Sequence, residues 1–245
     1  MDRSFFALLN LAMVFGAAYI GMRMYMASGP DVTQVRGSRL LGSSIRAWYF
    51  TNLDPFEALF ARRGVSPGAI TWAQLAGSIV CAFAFAAGLI YTAGFLVLAS
   101  GTLDIIDGRL ARRTGGDSAA GAYLDSVIDR YSEFAVFLGL MVYFGGGWPV
   151  WALLFGVLGG MMVSYTRARA EALGRDCQVG FLQRPERIVI LGFGAIFSSI
   201  GSHVWGGDQV LLKLVVLLLA VFTNVTALQR FVYVRRALLE RPSDA

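Results

Sequence analysis

The sequence predicts an all-α integral membrane protein. Its six-transmembrane-helix core carries an extra N-terminal transmembrane helix and an interfacial amphipathic helix. Three observations support this class. Of the 245 residues, 56% are hydrophobic and only 15% charged, where a soluble domain carries about a quarter charged residues. Several apolar runs reach the ~20 residues needed to cross a bilayer. The basic residues collect in the connections on one side, so the net charge of +5 follows membrane topology and does not point to nucleic acid.

The first apolar run, Phe5 to Ala27, encloses Asn10 and ends near Arg23. It is long enough to span and lacks the basic start and small-residue cleavage site of a signal peptide. A retained membrane helix over residues 1–28 is expected, with an interfacial helix as the alternative. From Ser28 to Gly64 the composition changes to Gly29, Pro30, Gly37 and Gly42, followed by S-I-R-A-W-Y-F-T-N-L-D-P-F-E-A-L-F-A-R-R. Aromatic and polar residues alternate there at helical spacing, as in a helix lying in the membrane interface. Pro55 is expected to divide it, with Asp54 capping the second half.

The core, residues 65–236, opens with V-S-P-G-A-I-T-W, where Ser66 is an N-cap and Pro67 the first helical residue. Six helices follow, ending near Leu89, Arg113, Phe144, Leu173, Ile200 and Tyr233. The connections near 90–92, 145–148 and 201–207 hold no Lys or Arg. Arg62, Arg63, Arg109, Arg112, Arg113, Arg169, Arg175, Arg184, Arg187, Arg235 and Arg236 fall on the other side. That side is expected to be cytoplasmic, with the chain embedded in the inner membrane. Arg36, Arg39 and Arg46 after the first helix obey the same rule. Residues 237–245 read as a disordered tail.

Cys81 lies in an apolar helix and Cys177 in a polar connection, so neither a disulfide nor a metal-ligand spacing is indicated. His203 is the one histidine and stands in a Gly/Ser-rich connection, a poor setting for catalysis.

The chemistry gathers between Asp104 and Asp129. Asp104 and Asp107 are spaced i, i+3 on the second core helix, and Asp125 and Asp129 i, i+4 on the third. Each pair occupies one helix face. The turn R-T-G-G-D-S makes the two helices antiparallel neighbours and brings the acids to similar depth. A carboxylate at membrane depth costs about 2.5 kcal/mol or more and signals function. Interfacial acids paired with Arg109 or Arg112 are the bland alternative. Four together would repel unless a divalent cation were shared, and all-oxygen ligation suits Mg²⁺, Mn²⁺ or Ca²⁺. Gly108 and Gly121 leave room for a ligand beside them, Ala111 is small, and Arg112 can pair with a phosphate. Asp129, one turn deeper than Asp125, is a candidate base.

The pattern D-x2-D-G-x2-A-R-x8-G-x3-D-x3-D, met by Asp104, Asp107, Gly108, Ala111, Arg112, Gly121, Asp125 and Asp129, resembles that of the CDP-alcohol phosphotransferases. The resemblance extends over the six-helix core, with Gly68 standing where that family has Asn. It implies transfer of a phosphatidyl or similar group from a CDP-linked lipid such as CDP-diacylglycerol to an alcohol, with release of CMP. It also implies Mg²⁺ or Mn²⁺, two ions, held by Asp104, Asp107 and Asp125, with Asp129 as base and partial ligand. Gly108, Ala111, Arg112, Gly121 and Thr71 would line the nucleotide site. Homodimers are common in the family.

A second basic cluster reads S-Y-T-R-A-R-A-E-A-L-G and then G-F-L-Q-R-P-E-R-I-V. Arg167 is i+3 from Ser164, and Arg184 and Arg187 are i, i+3 at a helix start that itself favours an anion. The cluster suggests an acceptor carrying its own phosphate. It resembles the inositol-phosphate-using branch, which implies Ser164, Arg167, Arg184 and Arg187 as acceptor-phosphate residues. Glycerol 3-phosphate is the nearest rival, then free inositol or serine. An intramembrane prenyltransferase would need a second acidic motif. An ion transporter with an acidic path would spread its charges over several helices and show inverted repeats.

Overall fold

The computed structural model describes residue 16 and residues 19–27, 42–205 and 209–240, with 203–205 as backbone alone. The described residues form seven long helices: α1 (Ser43–Arg62), α2 (Pro67–Ala86), α3 (Ile90–Thr114), α4 (Ala119–Phe144), α5 (Trp148–Ala172), α6 (Arg184–Trp205) and α7 (Val210–Leu239). Residues 19–27 are also helical. Most of the expected first helix, the linker with Arg36 and Arg39, and residues 241–245 of the expected tail lie outside the described residues.

Local chemistry sets the boundaries. Ser66 caps α2 by accepting from the Ala69 N–H at 3.2 Å, with Pro67 at the first position. Ser118 caps α4 by accepting from the Gly121 N–H at 3.1 Å. Gly115 and Gly145 close α3 and α4 in the left-handed conformation.

Two expectations are corrected. Pro55 lies inside a continuous α1 and does not divide it. Around it the Thr51 hydroxyl donates to the Ala47 carbonyl and the Asn52 amide to the Trp48 carbonyl. Asp54 forms no cap and reaches across to Arg109. The stretch from 201 to 205 is helical backbone, not a loop, so α6 passes through His203.

The six helices from α2 to α7 form a closed ring. In spatial order α4 packs on α2, α2 on α3, α3 on α6, α6 on α7, α7 on α5 and α5 back on α4. Close approach depends on small residues, as is usual where helices pack in lipid. A Cβ on Gly139 of α4 would stand 2.3 Å from the Ala82 carbonyl oxygen of α2. One on Gly94 of α3 would stand 2.8 Å from the Gly192 carbonyl oxygen of α6. The core of the ring holds Phe85, Leu140, Leu153, Leu212 and Leu219, while Phe83, Trp151, Phe155 and Phe231 face outward.

Among the described residues four helices, α2, α3, α5 and α7, are long and apolar enough to cross a membrane. The chain is a helical integral membrane protein. α4, 26 residues long, carries Asp125, Asp129, Arg130 and Glu133.

Among the described residues α1 docks chiefly on α3. Tyr49 shares a 2.6 Å hydrogen bond with Thr102, Leu53 packs with Ile106 and Leu110, and Arg109 pairs with Asp54 and the buried Glu57. The Arg109 guanidinium also lies 4.7 Å from the Phe50 ring centroid. Arg109 is therefore committed to α1 and not to the acids of α3.

Candidate active site

Four helices deliver the site. α2 brings Thr71 and Gln74, α3 brings Asp104 and Asp107, α4 brings Asp125, Asp129 and Glu133, and α6 brings Arg184 and Arg187. The Asp104, Asp125 and Asp129 carboxylates each offer an oxygen, all within 4.8 Å of one another. The hairpin fold inferred from R-T-G-G-D-S thus brings acids from both helices together.

Asp107 stands apart from that trio. It is 3% exposed, and its Oδ2 accepts from the Thr71 hydroxyl at 2.7 Å. Its Oδ1 accepts from the Gly108 N–H at 2.6 Å. Asp129 Oδ1 accepts from the Gln74 amide at 3.2 Å. Arg184 Nη1 bridges two of the three, in contact with Asp104 Oδ1 and 2.8 Å from Asp129 Oδ1.

The donor set fits a hard divalent cation. It consists of carboxylate oxygens alone, drawn from two helices. The buried Asp125 Oδ1 has no hydrogen-bond partner, the condition of a ligand atom and an unfavourable one for a structural carboxylate.

The remaining motif residues flank the acids. Gly108, Ala111, Arg112 and Gly121 follow one another at the end of α3 and the start of α4. Arg112 is exposed, and its Nη1 lies 3.6 Å from where a Gly108 Cβ would be. A Cβ on Gly121 would lie 3.1 Å from the Ser118 capping oxygen.

The basic cluster is only partly assembled. Arg184 joins the acids. Arg187 is 4% exposed and held bidentately by Glu133, at 2.7 and 2.8 Å. Arg167 does not share a pocket with Ser164. It is 52% exposed and pairs with Glu171 one turn on, at 2.8 Å. Ser164 instead lines an open groove of about 590 Å³ between α4 and α5, with Ser126, Arg130 and Tyr131.

Three contributors escaped the sequence reading. Gln74 sits three residues after Thr71, and Glu133 four after Asp129, so helical spacing from known site residues was the available signal. The third is Arg230 of α7, 4% exposed, which donates to the Val163 and Val179 carbonyls and feels the charges of Arg167 and Arg187. Its polar position inside a long apolar helix was the signal there.

Comparison with known proteins identifies the class. A family profile described as CDP-alcohol phosphatidyltransferase matches residues 65–233. The chain belongs to the CDP-alcohol phosphatidyltransferase family. Its members are enzymes, and the acids lie within the matched region. Among curated relatives, a Streptomyces avermitilis phosphatidylinositol phosphate synthase is 38% identical over 216 residues, covering 85% of this chain and 88% of the relative. An archaetidylinositol phosphate synthase of Methanothermobacter thermautotrophicus is 39% identical over 153 residues, covering 61% of this chain and 73% of the relative. The Mycobacterium tuberculosis phosphatidylinositol phosphate synthase with CDP-DAG bound superposes with a TM-score of 0.66 at 32% identity, covering 74% of this chain and 92% of that one. The same mycobacterial enzyme with manganese and citrate gives 0.67 at 30% identity, covering 77% and 92%. This phosphatidyltransferase therefore resembles a structure that holds a divalent metal.

Proposed function

We propose that the chain transfers the phosphatidyl group of CDP-diacylglycerol to inositol 1-phosphate, forming phosphatidylinositol phosphate and releasing CMP. The observation that carries this reading is the Asp104, Asp125 and Asp129 cluster with Arg184 in contact with it. Arg184 would meet the acceptor phosphate at the edge of this carboxylate site. Kinship with phosphatidylinositol phosphate synthases along 85% of the chain supports the acceptor.

Asp104, Asp107 and Asp125, with Asp129 as partial ligand, would hold Mg²⁺ or Mn²⁺, in two ions. When bound there, the metal would supply positive charge to the diphosphate oxygens. Thr71, Gly108, Ala111, Arg112 and Gly121 line the nucleotide side, where the glycines admit the diphosphate and Arg112 pairs with it. Asp129 accepts the proton of the inositol hydroxyl as that oxygen bonds to the lipid-side phosphorus and the bond to CMP breaks. Arg184 and Arg187 form the acceptor-phosphate site, while Arg167, paired with Glu171, and Ser164, in the groove between α4 and α5, stand apart from it. The bidentate hold of Glu133 on Arg187 orients one fork of that guanidinium.

All six helices of the ring would cross the inner membrane, after one N-terminal crossing. The charged stretch of α4 is then shielded inside the ring, and the arginine-rich ends and the site face the cytoplasm. Residues 1–28 would be the first membrane helix, 29–64 the juxtamembrane segment, 65–236 the catalytic domain and 237–245 a tail; the family match over 65–233 supports this division. Two copies would associate as a homodimer.

Purified protein incubated with CDP-diacylglycerol and Mg²⁺ tests the reading. Inositol 1-phosphate, glycerol 3-phosphate, inositol and serine are offered in turn, with CMP and lipid product followed. Inositol 1-phosphate is expected to give the fastest CMP release. Faster turnover with glycerol 3-phosphate would reassign the acceptor, and none with any alcohol would overturn the proposal.

A further inference from the structure

Behind Asp129, inside the ring, lies a small cavity of about 40 Å³. Among the residues lining it are Gln74, Ser132, Glu133, Arg184 and Arg187. Three buried side-chain atoms of these residues have no hydrogen-bond partner: Gln74 Oε1, Ser132 Oγ and Arg187 Nη1. Their residues are 1%, 3% and 4% exposed. A buried polar atom left unpaired is costly, and three around one cavity are not three accidents.

The three atoms are chemically complementary. Arg187 Nη1 can only donate, Gln74 Oε1 can only accept, and the Ser132 hydroxyl does both. The orientation of the Gln74 amide follows from its other end. Its Nε2 donates to Asp129 Oδ1 at 3.2 Å, and a carboxylate accepts only from the NH₂ group, so Oε1 must turn the other way. The Gln74 backbone is held at the same level, because Ser100 Oγ donates to the Gln74 carbonyl at 3.0 Å and bonds Ser78 at 2.7 Å. What the amide lacks is a donor for Oε1. A water accepting from Arg187 and donating to Gln74 supplies it. At ~10–15 Å³ for each water centre the cavity has room for about three.

We propose that this cavity is a buried hydration site and that Gln74, fixed by its water, is a positioning residue for Asp129. The chain of contacts runs Glu133, Arg187, water, Gln74, Asp129, linking the acceptor-side arginine to the base from behind. The inference rests on Asp129 being the base. It differs from that reading in assigning the cavity an occupant and Gln74 a role.

The direct test is an experimental structure of the whole protein at a resolution that shows water. Density bridging Gln74 Oε1 and Arg187 Nη1 is expected, and an empty cavity overturns the hydration site. The functional test compares Gln74→Leu, Ser132→Val and Asp129→Asn. Gln74→Leu is expected to lower kcat about 10- to 100-fold, the usual cost of losing a supporting partner, with the KM for CDP-diacylglycerol within about twofold of wild type. Ser132→Val, which fills the cavity, should lower kcat in the same sense. Wild-type kcat in both, with Asp129→Asn inactive, sinks the positioning role alone. Full turnover by Asp129→Asn sinks the base assignment beneath it. Should Gln74→Leu fail to fold, the wild-type water density and Ser132→Val still decide.

Discussion

Arg184 Nη1 touches Asp104 and lies 2.8 Å from Asp129 Oδ1, so one guanidinium serves both helices of the acidic hairpin. That charge occupies the field a divalent cation would use. Removing it should therefore affect metal and acceptor in opposite directions. Arg184→Ala is expected to bind Mn²⁺ at least about threefold more tightly in the absence of substrate, since even a screened charge contributes ~1 kcal/mol. Its KM for the phosphorylated acceptor should rise at the same time. Calorimetric titration with Mn²⁺ beside steady-state kinetics checks both. Weaker metal binding in the variant would mean that Arg184 supports the ligand set and does not compete with the ion.

Asp129 is the base on the present reading, and its amide is the minimal change. Asp129→Asn keeps the shape and can still meet Arg184 through its carbonyl. Turnover should fall by at least about 10², while the melting temperature in detergent stays near wild type. Near-normal CMP release would move the base elsewhere in the cluster.

Much of this was readable in advance, for a definite reason. The acids sit in a charge-poor chain at i, i+3 and i, i+4 spacings, and caps such as Ser66 and Ser118 follow local rules. Both signals are confined to single helices. The misjudged points depend on partners distant in sequence. Pro55 looked like a break because the sequence does not show how Tyr49, Leu53 and Glu57 bind α1 to α3. Arg167 looked like a pocket residue until its pairing with Glu171 was seen. Gln74 and Glu133 acquire meaning only when α2, α4 and α6 are brought together around one cavity.

The Glu133 and Arg187 pair makes a stability prediction. Arg187 is buried, and Glu133 satisfies two of its donors. Glu133→Leu leaves an uncompensated charge inside the ring, a change that costs about 3–5 kcal/mol. The melting temperature should fall by about 6 °C or more for a chain of this size. The double variant Glu133→Leu, Arg187→Leu should recover most of that loss while acceptor use stays impaired. If the double variant were no more stable than Glu133→Leu, Glu133 would be acting through contacts other than Arg187.

Asp107 supplies the last prediction, because it is the motif acid that lies outside the trio. Its two oxygens are oriented by the Thr71 hydroxyl and the Gly108 N–H. A carboxylate oxygen has more than one acceptor direction, so these bonds fix its rotamer and leave it able to serve as a ligand. The single Thr71 hydroxyl proton goes to Asp107 at 2.7 Å, with the Pro67 carbonyl, 3.2 Å away, as its weaker alternative acceptor. On this geometry Thr71 orients the Asp107 carboxylate and does not merely fill space. Thr71→Val removes the hydrogen bond at nearly constant volume and should weaken Mn²⁺ binding about 10- to 100-fold. Thr71→Ser should restore it. Measured by titration without substrate, unchanged affinity in Thr71→Val would place Asp107 outside the ligand set and leave Asp104, Asp125 and Asp129 to hold the metal.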